Sequence, residues 1–375
     1  MRDIELFQQA LDAECGATGC AAYDTTDRSW RRLNCFQHEA LLHARVPRVE
    51  CPSCGVKQVE VPWARPGSGF TLLFEALVMA MVKQMPVQAV GRLVGETDKR
   101  LWRILNHYVE GARARARADF SNVREVGVDE PASKRGHNYV SFYVSLERRR
   151  LLFGTEGREG DALGRFRLDL MAHGGAAERI RELCMDMSPA YIRGAERHFP
   201  LAEVTFDRFH VKKLFNEAIE KVRREEQKER PELKKTRWLW LKNQKNLTKS
   251  QATDLAVLLE PSRIALKTAK AYQMKLAFEE FWELPPILAT AFLTKWRRWP
   301  GRSKMAPMVK LAATLRDHQR GLLRWFHSRI SNGTLESVNS LVQAAKARAR
   351  GYRTSQNLIT MAYLISADLD YELPI

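Results

Sequence analysis

The 375-residue sequence predicts an α+β, multidomain chain, and three observations carry that expectation. Five of the six cysteines fall within the first 54 residues. Apolar residues recur with helical period from Phe70 to about Ala116. Beyond Asn122, short strand-like runs alternate with helical ones, and a helical pattern of more than a hundred residues follows His210. Hydrophobic residues make up 45% and charged residues 28%, which excludes wholesale disorder and a fibrous chain. No apolar run reaches the roughly 18–20 residues of a membrane span, so no membrane partner is expected. Met1 to Ala10 carries acids where a secretory signal has an apolar stretch. Lys and Arg number 61 against 44 Asp and Glu, for a formal charge of +17 and a pI near 9.8. A basic folded chain suits a polyanionic partner, nucleic acid first; a generic solubility charge is the bland alternative.

Residues 1–65 read as a zinc-ribbon-like domain. Cys51-Pro-Ser-Cys54-Gly places two thiols two residues apart, with a glycine for the tight turn, as one half of a tetrahedral Zn²⁺ site. Cys15 and Cys20 are the partner pair, at a wider spacing; Cys35, His38 and His43 are spare candidates. A ribbon that folds without metal, or free thiols in a reducing cytoplasm, fits the same residues. Basic and apolar residues alternate around Arg28-Ser-Trp-Arg-Arg32 and Arg45-Val-Pro-Arg48. Outward-facing Arg28, Arg31, Arg32, Arg45 and Arg48 would suit a phosphate backbone, and equally a plain charged surface.

Residues 66–120 read as a helix-turn-helix domain. Pro66-Gly-Ser-Gly69 is a breaker and linker. Helices are expected near 70–83, 86–94 and 97–115, punctuated by Pro86 and Gly95-Glu-Thr-Asp98, with Thr97 or Asp98 as cap. Lys99, Arg100 and Arg103 near the start of the third helix are candidate DNA contacts, although any small bundle could carry them.

Residues 121–215 change pattern. Val123, Val126 and Val128 lead into Asp129 as a strand; His137 to Leu146 alternates, Glu147 to Arg150 turns, and Leu151 starts a return strand. A helix over 161–176, a strand over 180–185 ending at Asp186, a helix over 188–198 and a strand over 202–206 ending at Asp207 complete the series. The order β-β-β-α-β-α-β is that of an RNase H-like sheet. Residues 216–325 are expected to be helical, broken at Pro285-Pro286 and Trp299-Pro-Gly301. The span 211–250 holds thirteen Lys or Arg against six acids. It reads as a solvated helix or a basic arm, with Trp238 and Trp240 stacking on bases or filling core. Residues 326–375 return to the sheet domain with the last acid.

Asp129, Asp186 and Glu336 stand where metal chemistry needs them: two at strand ends, one near a helix start in Ser331-Asn-Gly-Thr-Leu-Glu-Ser-Val-Asn339. Three carboxylates in one cleft can hold two Mg²⁺ ions for an in-line phosphoryl displacement. Singly, each is an ordinary turn residue. Lys346 and Arg350 lie roughly 80° and 40° from Glu336 around the helix axis, and Arg348, Tyr352 and Arg353 extend that basic end. His210, three residues after Asp207, reads as a satisfied junction histidine or as support for the metal site. Walker loops, dinucleotide glycine fingerprints, His-Glu-x-x-His and serine-hydrolase elbows are absent.

Val126-Gly-Val-Asp-Glu130, Met185-Asp-Met-Ser-Pro-Ala-Tyr191, Phe206-Asp-Arg-Phe-His210, Ser331-Asn-Gly-x-x-Glu336 and Ala349-Arg-Gly-Tyr-Arg353 resemble the ISL-three family of bacterial insertion-sequence transposases. Arg45-Val-Pro-Arg-Val-x-Cys-Pro-x-Cys-Gly55 and Val61-Pro-Trp-Ala-Arg65 resemble that family's zinc-ribbon segment. The resemblance runs from about Cys15 to Tyr363. It implies a DDE transposase with an RNase H-like catalytic domain and an all-helical insertion before the last acid. Asp129, Asp186 and Glu336 match the triad, and Asp207 and His210 match an additional Asp-x-x-His signature. The resemblance further implies Mg²⁺ or Mn²⁺ at the triad and structural Zn²⁺ at Cys15, Cys20, Cys51 and Cys54. Its partners would be double-stranded DNA, as element ends and target, bound by a homodimer in the bacterial cytoplasm with the nucleoid. Lys346, Arg350 and Arg353 join Lys99, Arg100 and Arg103 as DNA contacts. A transposase-derived DNA-binding factor without catalysis, and a structure-specific nuclease on the same sheet, are the other readings.

Overall fold

A computed structural model describes residues 20–115, 119–129, 139–157, 160–260, 266–330 and 333–373. The chain divides into two compact units, Met1–Ala118 with Gln343–Ile375, and Asp119–Val342.

The first unit opens with an antiparallel sheet of β1 (Ala21–Cys35), β2 (His38–Cys51) and β3 (Gly55–Gln58) in that order. The β2–β3 turn is the Cys51–Gly55 knuckle, and Gly55 takes the left-handed conformation at φ +73° that a side chain would resist. Trp30, Val46, Val61 and Ala64 form the ribbon core, with Trp63 edge-on to Trp30 at 5.6 Å. Three helices follow: α1 (Leu72–Gln84), α2 (Val87–Val94) and α3 (Asp98–Ala114). Thr71 caps α1 through its side chain, whereas Thr97 precedes α3 without such a bond. Between α2 and α3 the chain turns on Gly95 at φ +72°, and a Cβ on Gly91 would sit 2.6 Å from the Glu96 carbonyl, so only glycine admits so tight a turn there.

Two expectations for this unit are corrected. Pro66–Gly69 is not a loose linker: Arg31 N donates to Gly69 O at 2.8 Å, Thr71 N to Arg31 O at 3.0 Å, and Leu72 N to Trp63 O at 2.8 Å. Backbone bonds thus tie β1 to the start of α1. Arg31 does not face outward. It is 4% exposed, its guanidinium donates to Asn34 Oδ1 at 2.5 Å and to the Val94 carbonyl at 3.3 Å, and it lies over the Phe74 ring. The carbonyl at the end of α2 and the aromatic face give the cation more than a solvated strand face would. Arg32 and Arg45 are exposed; Arg28 and Arg48 are half-buried, and Arg48 forks onto Asp24.

The second unit is built on β4 (Glu125–Asp129), β5 (Val140–Ser145), β6 (Arg150–Glu156), α4 (Gly160–Ala172), β7 (Glu182–Met185), α5 (Pro189–His198) and β8 (Glu203–Phe206). Strand order is β6-β5-β4-β7-β8. The first three pair antiparallel, and β4–β7 and β7–β8 pair parallel. The parallel pairs need crossovers, which α4 and α5 supply. Every residue of β5 is buried, so both sets of its alternating side chains lie under cover; Ser141 Oγ meets Tyr191 OH at 2.5 Å and Gly157 O at 2.5 Å.

Helices then dominate: α6 (Arg208–Glu226), α7 (Arg237–Leu241), α8 (Lys249–Leu258), α9 (Lys267–Glu279), α10 (Pro286–Gly301), α11 (Ala306–Asp317) and α12 (Gln319–Ser328). Their aromatic-rich core includes Phe215, Tyr272, Phe278, Phe281, Trp296 and Phe326. The charge-dense run after Arg223 is neither a simple solvated helix nor a free arm. Arg223, Arg224 and Arg237 converge on Glu220. Buried Glu226 accepts from Lys267 N at 2.6 Å and Thr268 N at 2.7 Å, closing the N-terminus of α9. Trp240 fills core and Trp238 is exposed. Pro286 starts α10 as N1, but Trp299-Pro-Gly301 does not break it, since Pro300 sits within its last turn.

Two helices complete the chain, α13 (Gly333–Arg348) and α14 (Ser355–Ser366). Gly351 at φ +98° stops α13, donating its N–H back to Lys346 O at 2.8 Å.

Candidate active site

Register decides where the acids go. Gly127 pairs with Cys184, and Met185 with Phe206, in parallel. Asp129, Asp186 and Asp207 therefore leave the sheet at the same edge, at the C-terminal ends of three adjacent strands. The start of α13 covers β4 here: a Cβ on Gly127 would lie 3.5 Å from the Leu335 side chain and 2.9 Å from Leu146. The glycine leaves room for Leu146, and Leu335 packs beside it, which sets the neighbouring Glu336 near the strand ends.

Asp207 is 5% exposed, and its Oδ1 accepts from Phe209 N at 2.8 Å as the cap of α6. Burial raises its carboxyl above the usual range; the Phe209 N–H and His210 pull it down, and Glu336 and Asp129 push it up again. His210 Nε2 stands 3.6 Å from Asp207 Oδ2 and 3.8 Å from Asp129 Oδ1. Asn339 Nδ2 donates to Asp129 Oδ2, while Asn339 Oδ1 is buried without a hydrogen-bond partner. Asp186 Oδ1 accepts from Ser188 N at 2.8 Å, and among the described residues its side chain bonds to none of the others. Burial pushes the Cys184 thiol up, and the surrounding acids add to the shift.

The structure thus brings Asp129, Asp207, His210 and Glu336 within electrostatic reach, with Asp186 on the neighbouring strand end. Among the described residues, no three His, Cys, Asp or Glu side chains are grouped closely enough to hold a metal ion. In donor chemistry the residues fit a hard cation: beside the His210 imidazole they supply carboxylate oxygens and one unpartnered amide oxygen, and burial followed by the neighbouring acids Glu336 and Asp129 raises Asp207. Sequence reasoning missed Asn339. The signal was its place three residues after Glu336, on the same helix face.

In the ribbon, Cys20, Cys51 and Cys54 gather around Val49 and Val59. Cys51 is lowered to about 6, first by hydrogen bonds with Ser53 and then with Cys54. Three soft thiols at one end suit zinc; Cys15 lies outside the described residues.

Of the basic candidates, Lys99 and Arg103 are exposed on α3, and Arg350 and Arg353 are exposed beyond α13. Lys346 is half-buried. Lys99, Trp102, Arg103 and Asn106 line one side of a cleft of about 570 Å³ whose other side carries Tyr352 and Arg353. Trp102 and Tyr352 meet edge to face at 6.0 Å. Arg100 is different: it turns back to Glu96 at 2.7 Å and lies 4.3 Å over Phe70, so it serves packing within the helical bundle.

Residues 126–362 match a family model described as a transposase. Residues 59–109 match the helix-turn-helix domain of transposase family ISL3, and residues 8–54 the zinc-finger of transposase IS204/IS1001/IS1096/IS1165. The chain belongs to the ISL3 transposase family. It is 29% identical over 362 residues to the transposase for insertion sequence element IS1001 of Bordetella parapertussis, covering 92% of this chain and 86% of that protein. It is 28% identical over 407 residues to the transposase for insertion sequence element IS1557 of Mycobacterium tuberculosis, covering 98% and 88%. Among the described residues, no helix is long and apolar enough to cross a membrane.

Proposed function

We propose that the protein is a DDE transposase that binds the terminal inverted repeats of its insertion sequence, cuts DNA in a metal-dependent step and directs the freed 3′-hydroxyl to attack a phosphodiester of target DNA, whose own 3′-oxygen leaves. The observation that carries this reading is the shared sheet edge of Asp129, Asp186 and Asp207, with Glu336 in reach of Asp207. The strand order, with two antiparallel and two parallel neighbours around β4 and β7, supports an RNase H-like catalytic domain. The run α6 to α12 supports an all-helical insertion between Asp207 and Glu336.

Asp129, Asp186 and Glu336 would hold Mg²⁺ or Mn²⁺. Such a cation, when bound, supplies Lewis acidity to the attacking and leaving oxygens of an in-line displacement. Asn339 and His210 restrain Asp129 from two sides, so its carboxylate is oriented before DNA arrives. A proton on His210 Nε2 would tie Asp129 to Asp207 and offset their repulsion. Lys99 and Arg103, with Lys346, Arg350 and Arg353, would contact phosphates. Cys15, Cys20, Cys51 and Cys54 would hold structural Zn²⁺. A homodimer pairing two DNA ends, in the cytoplasm with the nucleoid, belongs to the same reading.

The test is cleavage of duplex DNA carrying the element ends. The wild type should nick it only with Mg²⁺ or Mn²⁺, and Asp186→Asn should bind the same DNA with cleavage down by at least about 100-fold, a loss of roughly 3 kcal/mol of transition-state stabilisation. Undiminished cutting by Asp186→Asn would remove that residue from the site. Sequence-specific binding without cutting under any metal would make the protein a binding factor instead.

A further inference from the structure

A second basic surface lies far along the chain from the helix-turn-helix segment. Lys295 to Lys304 reads Lys-Trp-Arg-Arg-Trp-Pro-Gly-Arg-Ser-Lys, with five cations and no acid. In the fold, Lys295, Arg298, Trp299 and Arg302 at the end of α10 join Lys270 of α9 around one concavity of about 620 Å³, lined by no acidic residue. All four cations are exposed, and among the described residues none forms an ion pair. The neighbouring concavity at Arg208, Lys212, Lys245 and Lys275 contrasts with it, since Glu279, Glu280 and Glu283 line it too. Structural cations are usually matched in that way. The C-terminus of α10 carries about half a negative charge, which a single arginine offsets, so most of the positive charge has no internal purpose. Trp299, 44% exposed, sets a flat apolar face among the cations.

We propose that this concavity is a second, sequence-independent DNA contact, in which Lys270, Lys295, Arg298 and Arg302 bind backbone phosphates and Trp299 packs against the sugar edge. The inference rests on the DNA-handling function proposed above and extends it to the helical region. Four phosphate contacts carry four released counterions, and no base is read.

Full-length protein is titrated with a labelled duplex carrying the element ends and with a scrambled duplex, across a range of salt. Lys270→Gln, Lys295→Gln, Arg298→Gln and Arg302→Gln are combined in one variant. Loss of four contacts lowers the salt slope by about 3.6, so wild-type and variant affinities converge by about 100-fold between about 50 and 200 mM salt. The loss is equal on both duplexes, leaving their affinity ratio unchanged. A control variant neutralises exposed Lys228, Lys234, Lys235 and Lys249 instead, and circular dichroism verifies both folds. An unchanged slope, an equal drop in the control, or a loss confined to one of the two duplexes overturns the proposal. Failure of the wild type to bind either duplex would sink the broader function, a result the variants do not mimic.

Discussion

Glu75 is a fully buried carboxylate in the helix-turn-helix segment, and its neighbours predict a specific energetic pattern. Arg65 Nε donates to both of its oxygens, at 3.0 and 2.9 Å; Ser68 Oγ donates at 2.6 Å and Tyr108 OH at 3.0 Å. The group ties α1 and α3 to the Pro66–Gly69 segment. Burial, and then Glu75, push the Tyr108 phenol up, keeping it a donor across the usable pH range. Arg65→Ala leaves the charge with two neutral donors and no counterion, which should cost about 3–5 kcal/mol. Tyr108→Phe removes one bond to a charged acceptor and should cost about 1.5–3 kcal/mol. Arg65→Met with Glu75→Leu removes the charges together and should cost far less than the sum of the two single changes. Urea unfolding followed by tryptophan fluorescence measures all of these. If Arg65→Ala lies within about 0.5 kcal/mol of wild type, or the double variant is additive, Glu75 is not held by Arg65 in the way described.

Two further outcomes follow from packing and burial. Gly321→Ala improves helix propensity by about 1 kcal/mol, but its Cβ would stand 2.5 Å from the Phe206 ring and 3.1 Å from the Val204 carbonyl. Overpacking at about 1–3 kcal/mol should win, lowering the urea midpoint; a midpoint at or above wild type refutes the close approach of α12 to β8. Lys275 is 3% exposed, and burial pushes it down to about 8. Its ammonium is therefore a cost of folding below pH 8 that fades as pH rises toward the unfolded value of 10.5. The stability of wild type relative to Lys275→Met should improve by about 3 kcal/mol across that window, and a flat difference would mean the amine is solvated.

Much of the architecture was legible in the sequence because its signals were local. Helical period marked α1 to α3 to within two residues, and the runs ending at Asp129, Asp186 and Asp207 marked three strands. The alternation in β5 marked the strand but not its burial: Ser141 and Ser145 are as buried as Val140, because the sheet is covered on both faces. Arg31 was misread because a cation with an aromatic face and a carbonyl nearby can turn inward, and those partners, Phe74 and Val94, come together only on folding. Asn339 escaped because its place three residues after Glu336 gains meaning only once α13 meets the end of β4 and the amide reaches Asp129. Asp129 and Glu336 are 207 residues apart, and what holds α13 against the end of β4 is tertiary, the Leu335 packing on Gly127 and the Asn339 bond to Asp129, which no local pattern encodes.

The backbone bonds linking Arg31 to Gly69 and Thr71 have a bearing on how DNA could be measured. A ribbon fastened to the helices behind it cannot swing on a tether. If both parts touch the same duplex, they act as the two jaws of a fixed caliper. Inserting about five base pairs between their footprints would rotate one to the far side of the double helix, where the caliper cannot follow.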